Sequence, residues 1–382
     1  MADGGERRLG IAPRRVERQS DESSECMHGS PIRDAAMTAG ASTPAADGET
    51  IAHGGDIEAE RLRFPQAPEP WIDLSTGINP YAYPFDPPTA ETWQKLPQAS
   101  ADAAARLAAA RRYGTADAEA IVAAPGSQAL IQIVPRLIDA VDVAVIGPTY
   151  AEHVAAWARC GHRVRTVRSL ADIGDARAVV VVNPDNPTGR IVAADELCRV
   201  AGRLAQRRGL LVVDEAFADF SAPGVSIVPR LPPATVVLRS FGKAYGLAGL
   251  RLGFAVAHAE HAKRLRRELG PWAVSGPALD IGAAALRNAQ WIEEMRAELA
   301  QDCRRIDALL AAHGFSAVGG TELFRLVAHP RAGDIADALA GDGIHVRRFA
   351  ENASWLRFGL PGSPSAWQRL EASMQRATAS PG

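Results

Sequence analysis

Three short apolar runs recur through the middle of the chain, and each leads into polar side chains. Val179-Val-Val-Val182 runs into Asn183-Pro-Asp-Asn-Pro-Thr-Gly189, Leu210-Leu-Val-Val213 into Asp214, and Val236-Val-Leu238 into Arg239-Ser240. Runs of this length without polar alternation read as strands covered on both faces. Asn186, Asp214 and Lys243 stand at intervals of 28 and 29 residues (186 to 214, 214 to 243), which suits one strand–helix unit each. An α/β fold is expected, with a mostly parallel central sheet flanked by helices. In open sheets of this kind ligands bind beyond the carboxyl ends of the strands. One crevice would then collect Asn186, Asp214, Ser240 and Lys243.

The residue types at those ends share one chemistry. Lys243 lies in Ser240-Phe-Gly-Lys-Ala-Tyr-Gly246, and Arg251 follows it. A lysine amine can form a Schiff base with an aldehyde, and a guanidinium fork can grip a phosphate at two points. Pyridoxal phosphate carries both groups. Asp214 would pair with its pyridine nitrogen and keep the ring an electron acceptor. Asn186 can donate to the ring's 3-oxygen. Ser240 and Arg251 would hold the phosphate. Gly126-Ser-Gln128, after Val122-Ala-Ala-Pro125, has the form of a strand-to-helix turn whose N–H groups cradle the same phosphate. Tyr150, in Gly147-Pro-Thr-Tyr150, can stack on the ring. Taken singly, each residue has a plainer reading: a solvated lysine, a helix cap, an Asn-Pro turn, a core tyrosine. Their ordered recurrence favours the cofactor site.

The motifs Asn183-Pro-Asp-Asn-Pro-Thr-Gly189, Asp214-Glu-Ala216 and Ser240-Phe-Gly-Lys243 resemble those of the aminotransferase-like pyridoxal phosphate enzymes of fold type I. The resemblance runs from about Ile51 to the C-terminal region. Within this group, three segments are most similar to the threonine-phosphate decarboxylases of the cobalamin pathway. They are His53-Gly-Gly-Asp56, Leu74-Ser-Thr-Gly-Ile-Asn-Pro80 and Trp355-Leu-Arg-Phe-Gly-Leu-Pro361.

That resemblance implies a large cofactor domain with a smaller C-terminal α+β domain, and a cytoplasmic homodimer. It implies decarboxylation of L-threonine O-3-phosphate to 1-amino-2-propanol O-2-phosphate and carbon dioxide. His53, Gly54 and Gly55 would grip the substrate phosphate, with help from Arg347. Asn79 would lie on the substrate side of the cleft, and Arg357 would orient the carboxylate.

From the residues alone, the His53 segment also reads as a surface turn, and Arg357 as half of a structural ion pair with a buried Asp or Glu. Phe217 stands where relatives often carry tyrosine, so Asn186 would carry more of the ring-oxygen contact. Leu96-Pro97 is the counterpart of a segment from which many relatives reach across the dimer with a tyrosine hydroxyl. The alternative activity is amino transfer from histidinol phosphate or a similar phosphorylated amine. A cofactor-sensing DNA-binding regulator is a further alternative, which the sequence opposes by offering no recognition helix ahead of the fold.

Composition narrows the class. Hydrophobic residues make up 47% and charged residues 23% of the 382 residues, and the formal net charge is −2, which disfavours nucleic acid and anionic membranes as partners. No apolar run is long enough to span a bilayer. Cys26, Cys160, Cys198 and Cys303 have no close-pair spacing, so no metal site is expected. Residues 1–48 read as disordered. Residues 49–85 are expected to form an arm contacting the small domain and the cleft, 86–270 the large domain, 271–377 the small domain, and 378–382 a tail. Helices are expected at Ala99–Tyr113, near Asp195–Arg208 and at Trp291–Ala312. Strands are expected at Phe315–Val318, Leu323–Val327 and His345–Phe349.

Overall fold

The apolar runs lie side by side. The computed structural model describes residues 53–379, so the 1–48 segment and residues 380–382 of the tail lie outside it. The first strand, β1 (Ile72–Leu74), belongs to a smaller sheet completed much later in the chain. The larger sheet comprises β2 (Ile121–Ala124), β3 (Asp142–Ile146), β4 (Arg163–Val167), β5 (Ala178–Val182), β6 (Leu210–Asp214), β7 (Thr235–Ser240) and β8 (Gly253–Ala257). Its spatial order is β2-β8-β7-β6-β5-β3-β4. Five adjacent strands from β7 to β4 are mutually parallel, and β8 runs antiparallel between β2 and β7.

Alternate residues of each central strand feed two cores. Val179 and Val181 pack into one apolar cluster, and Ala178 and Val180 into the other. Helices cover both faces, which is why these strands need no polar side. The helix Ala99–Tyr113 covers one face together with Gly276–Arg287. Its bounds are those the sequence predicts, and Ala194–Gln206 and Ala289–Ala312 lie within two residues of theirs.

The smaller sheet has β9 (Ser316–Thr321), β10 (Phe324–Ala328), β11 (Ile344–Arg348) and β12 (Trp355–Gly359), in the order β1-β11-β12-β10-β9. β1 adds at its edge, parallel to β11. The chain leaving β1 at Ser75 passes along the cleft, and the Asn79 N–H donates to the Lys243 carbonyl at 2.8 Å. The N-terminal stretch thus joins the smaller sheet to the loop that carries the lysine.

Candidate active site

Register brings the strand ends to one level. Asp214, the last residue of β6, pairs with Val182 of β5 and Leu238 of β7. Asn186 and Lys243 follow those neighbours at the same edge. The cleft there has a volume of about 380 Å³. His53, Gly54, Gly126, Ser127, Gln128, Tyr150, Asn186, Asp214, Ser240, Lys243, Arg251 and Arg357 all line it. Gly55, Asn79 and Arg347 do not appear in that lining.

Lys243 projects into the cleft over the Phe217 ring, with Nζ 5.2 Å from its centroid. Its Nζ donates a long hydrogen bond, 3.5 Å, to Ser240 Oγ. Burial pushes its pKa below the ordinary lysine value; Asp214 opposes that shift, while Arg357 and Arg251 add to it. The amine is therefore more readily deprotonated than a solvated one, as a nucleophile requires. Asp214 is 3% exposed. Burial alone would raise its pKa, yet a hydrogen bond from His153, the His153 charge and the Lys243 charge hold it below the ordinary value. His153 Nε2 lies 2.9 Å from Asp214 Oδ2, and the Ala216 N–H donates to Oδ1 at 3.0 Å. The carboxylate is thus kept anionic in a dry place, where it can pair with a cationic ring nitrogen.

The far wall suits a phosphate. The helix Ser127–Ile133 begins without a side-chain cap, which leaves its first N–H groups for a ligand. Gly126 sits at φ +87°, and a Cβ there would lie 2.9 Å from Arg251 Nη2. The positive φ favours glycine here, and a side chain would displace the Arg251 guanidinium. Ser240 and Arg251 complete this corner. Tyr150 Oη donates to Gln128 Oε1 at 3.2 Å. Burial, Glu152 and Asp214 push its phenol up to about 12, so it stays protonated.

Opposite stands Arg357, buried at 7% exposure. Its guanidinium donates to Asn186 Oδ1, and to the Ser75 carbonyl at 2.6 Å. Both acceptors are neutral, and among the described residues Arg357 forms no ion pair. Its Nε has no hydrogen-bond partner. The reading of Arg357 as half of a structural ion pair therefore falls. Burial, with Arg347 directly across the strand pair, pushes its pKa down to about 10. A guanidinium only donates, so Asn186 must offer Arg357 its amide oxygen. That leaves the Asn186 NH₂ for the cleft.

Two residues expected to face the substrate are engaged elsewhere, and one residue enters that the sequence did not single out. Asn79 is 2% exposed, and its amide is engaged by backbone: Nδ2 donates to the Ala244 carbonyl at 2.9 Å and Oδ1 accepts from the Tyr81 N–H at 2.9 Å. It braces the lysine loop. The Gly55 N–H donates to Ser75 Oγ at 2.7 Å and so is not directed at a ligand. The added residue is His153. It gave no signal beyond standing three positions after Tyr150, on the inner face of the helix Glu152–Arg159. His53, by contrast, is held at the rim by Glu152 Oε1, 3.0 Å from its Nε2.

An amine, a shielded carboxylate, a free amide NH₂ and a phosphate-shaped corner in one cleft match the four groups of pyridoxal phosphate. The family model for aminotransferase class I and II matches residues 70–370. The chain belongs to that family. Fold type I enzymes of this family depend on pyridoxal phosphate, and the residues present fit it. Among family relatives, a threonine-phosphate decarboxylase of Pseudomonas aeruginosa is 39% identical over 85% of this chain and 97% of that protein. One from Sinorhizobium is 41% identical over 85% of this chain and 98% of its own. Two solved structures share the family fold. Histidinol-phosphate aminotransferase from Sinorhizobium meliloti, in complex with pyridoxal-5'-phosphate, has a TM-score of 0.70 at 22% identity, covering 87% of this chain and 95% of that one. L-threonine-O-3-phosphate decarboxylase from Porphyromonas gingivalis has a TM-score of 0.64 at 22% identity, covering 79% and 98%.

Proposed function

We propose that this chain is a carboxy-lyase of cobalamin biosynthesis. It converts L-threonine O-3-phosphate to 1-amino-2-propanol O-2-phosphate and carbon dioxide. The observation that carries the reading is Arg357: a buried guanidinium that lines the lysine cleft, forms no ion pair among the described residues and lies across the strand pair from a second arginine. Such a site is completed by an anionic substrate. Two decarboxylase relatives matched over nearly their whole lengths support the choice of substrate.

Bound pyridoxal phosphate supplies an electron sink for the bond broken at the substrate's α-carbon. Lys243 would anchor it, Asp214 would pair with its ring nitrogen, and the Asn186 NH₂ would donate to its ring oxygen. Gly126, Ser127, Gln128, Ser240 and Arg251 would surround its phosphate, with Tyr150 against the ring. Arg357 binds the substrate carboxylate by its fork. His53 and Gly54, with help from Arg347, bind the substrate phosphate. Gripping both ends orients the α-carbon and so selects which of its bonds breaks. Lys243, in its protonated ammonium form, would then deliver the proton that takes the place of the lost carboxylate, and its lowered pKa makes that ammonium the stronger acid.

The chain is proposed to act in the cytoplasm as a homodimer. Trp93 at 68% exposure and Trp272 at 61% are large apolar side chains that a second copy would cover. The deciding experiment supplies L-threonine O-3-phosphate to the holoenzyme without any keto acid. Release of carbon dioxide and of the amino alcohol phosphate is expected. Amino transfer from histidinol phosphate to 2-oxoglutarate, with no carbon dioxide from phosphothreonine, would overturn the reading in favour of an aminotransferase.

A further inference from the structure

We infer that Ser75 is a positioning residue that sets the span between the two ends of the substrate site. The inference rests on the phosphothreonine reading above. Ser75 follows β1 and is wholly buried. Its hydroxyl donates to Asp73 Oδ1 at 2.6 Å, and its own N–H donates to the same oxygen at 2.8 Å. A carboxylate only accepts, so the serine proton must point at Asp73. The Oγ lone pairs are then turned outward, and one of them accepts the Gly55 N–H at 2.7 Å. The carbonyl of the same residue accepts from Arg357 Nη2 at 2.6 Å.

One residue therefore holds the arm that carries His53 through its side chain, and the carboxylate-binding arginine through its backbone. Contact on the arm side is close. A Cβ on Gly54 would lie 2.4 Å from the Ser75 carbonyl oxygen and 3.0 Å from Oγ. Only glycine lets the arm approach to this distance. The acceptors offered to Arg357 are neutral, so they orient the guanidinium without consuming its charge. A residue that merely secured a strand end would not have both of its contacts terminate on opposite ends of a ligand site. This arrangement makes the distance from arm to arginine a property of Ser75, and the site a ruler for the length of a phosphorylated amino acid.

The test measures length discrimination in the holoenzyme. L-threonine O-3-phosphate and its isomer L-homoserine O-phosphate, in which one more carbon separates the α-carbon from the phosphate, are titrated, and binding is read from the visible absorbance of the bound cofactor. Ser75→Ala should weaken the threonine compound about tenfold, the scale of one lost buried hydrogen bond. It should change the homoserine compound less than about threefold, so that the wild-type preference collapses. Gly54→Ala pushes the same contact apart from the arm side and should reproduce the collapse. It carries the test where Ser75→Ala does not fold. Equal weakening of both ligands, or an unchanged preference in a folded variant, would show that Ser75 is only structural. A wild-type holoenzyme that prefers neither compound would instead bring down the phosphothreonine reading itself.

Discussion

Two buried arginines in this molecule meet opposite treatment. Arg239, on β7, is 4% exposed, and Arg357, on β12, is 7% exposed. Arg239 pairs with Glu215 Oε2 at 2.8 Å and Asp219 Oδ1 at 2.9 Å, and its guanidinium lies 4.4 Å from the Tyr113 ring centroid. Its two carboxylates outweigh the cost of burial and raise its pKa above the ordinary arginine value. Arg357 donates to neutral acceptors, and burial and the Arg347 charge outweigh the opposing charge of Asp73, so its pKa falls. The first arginine forms its ion pairs within the fold; the second forms none among the described residues, which is what the proposed carboxylate-binding role asks of it. Lys243 belongs with the second, since burial dominates its shift as well. Burial alone does not separate Arg239 from the two cleft cations; what differs is the balance, since counter-charge outweighs burial at Arg239 and burial outweighs it at Arg357 and Lys243.

The strongest way to break this contrast is at the lysine. Lys243→Ala should lower turnover by roughly 10⁴-fold or more and abolish the visible absorbance of the anchored cofactor. Removing a desolvated cation should not lower the melting temperature of the apoprotein. Turnover near the wild-type rate would disprove the central assignment. Arg239→Ala should do the reverse, costing about 3–5 kcal/mol of stability in denaturant unfolding because Glu215 and Asp219 are left buried without their partner. Arg357→Ala should lower kcat/KM by about 2–5 kcal/mol, roughly 30-fold to 5,000-fold, while unfolding stability holds or rises. If Arg357→Ala unfolds like Arg239→Ala, the contrast is wrong.

A smaller effect sharpens the anionic side. Asp214 has a folded-state pKa below its unfolded value, so between the two the unfolded chain binds more protons. Its contribution is complete above about pH 4 and is lost as pH falls through the depressed folded value. Asp214→Asn should therefore flatten the acid limb of the stability–pH curve. An unchanged limb would mean that the His153 contact does not hold the carboxylate ionised.

Much of this was legible along the chain. The runs at Val179, Leu210 and Val236 carry no polar alternation, because both of their faces are covered. Their ends therefore pointed to Asn186, Asp214, Ser240 and Lys243 from residue order alone. The antiparallel insertion of β8 between β2 and β7 was not legible, since an apolar strand reads alike in either direction. His153 was hidden for a related reason: a single histidine on an amphipathic helix carries no mark of the strand end it will meet.

The division follows from the range of the forces involved. Local patterning determined which segments become strands and helices, and which chemistry stands at their ends, because periodicity and residue type act over a few positions. Only the tertiary structure decided that Arg239 pairs with two carboxylates while Arg357, among the described residues, forms no ion pair. It also decided that Asn79 braces the lysine loop rather than facing substrate, and that Ser75 touches both Gly55 and Arg357. Those outcomes depend on groups up to 282 positions apart in the chain coming within hydrogen-bonding distance. At that range burial and charge act on whatever the fold has brought near, and sequence spacing no longer carries the information.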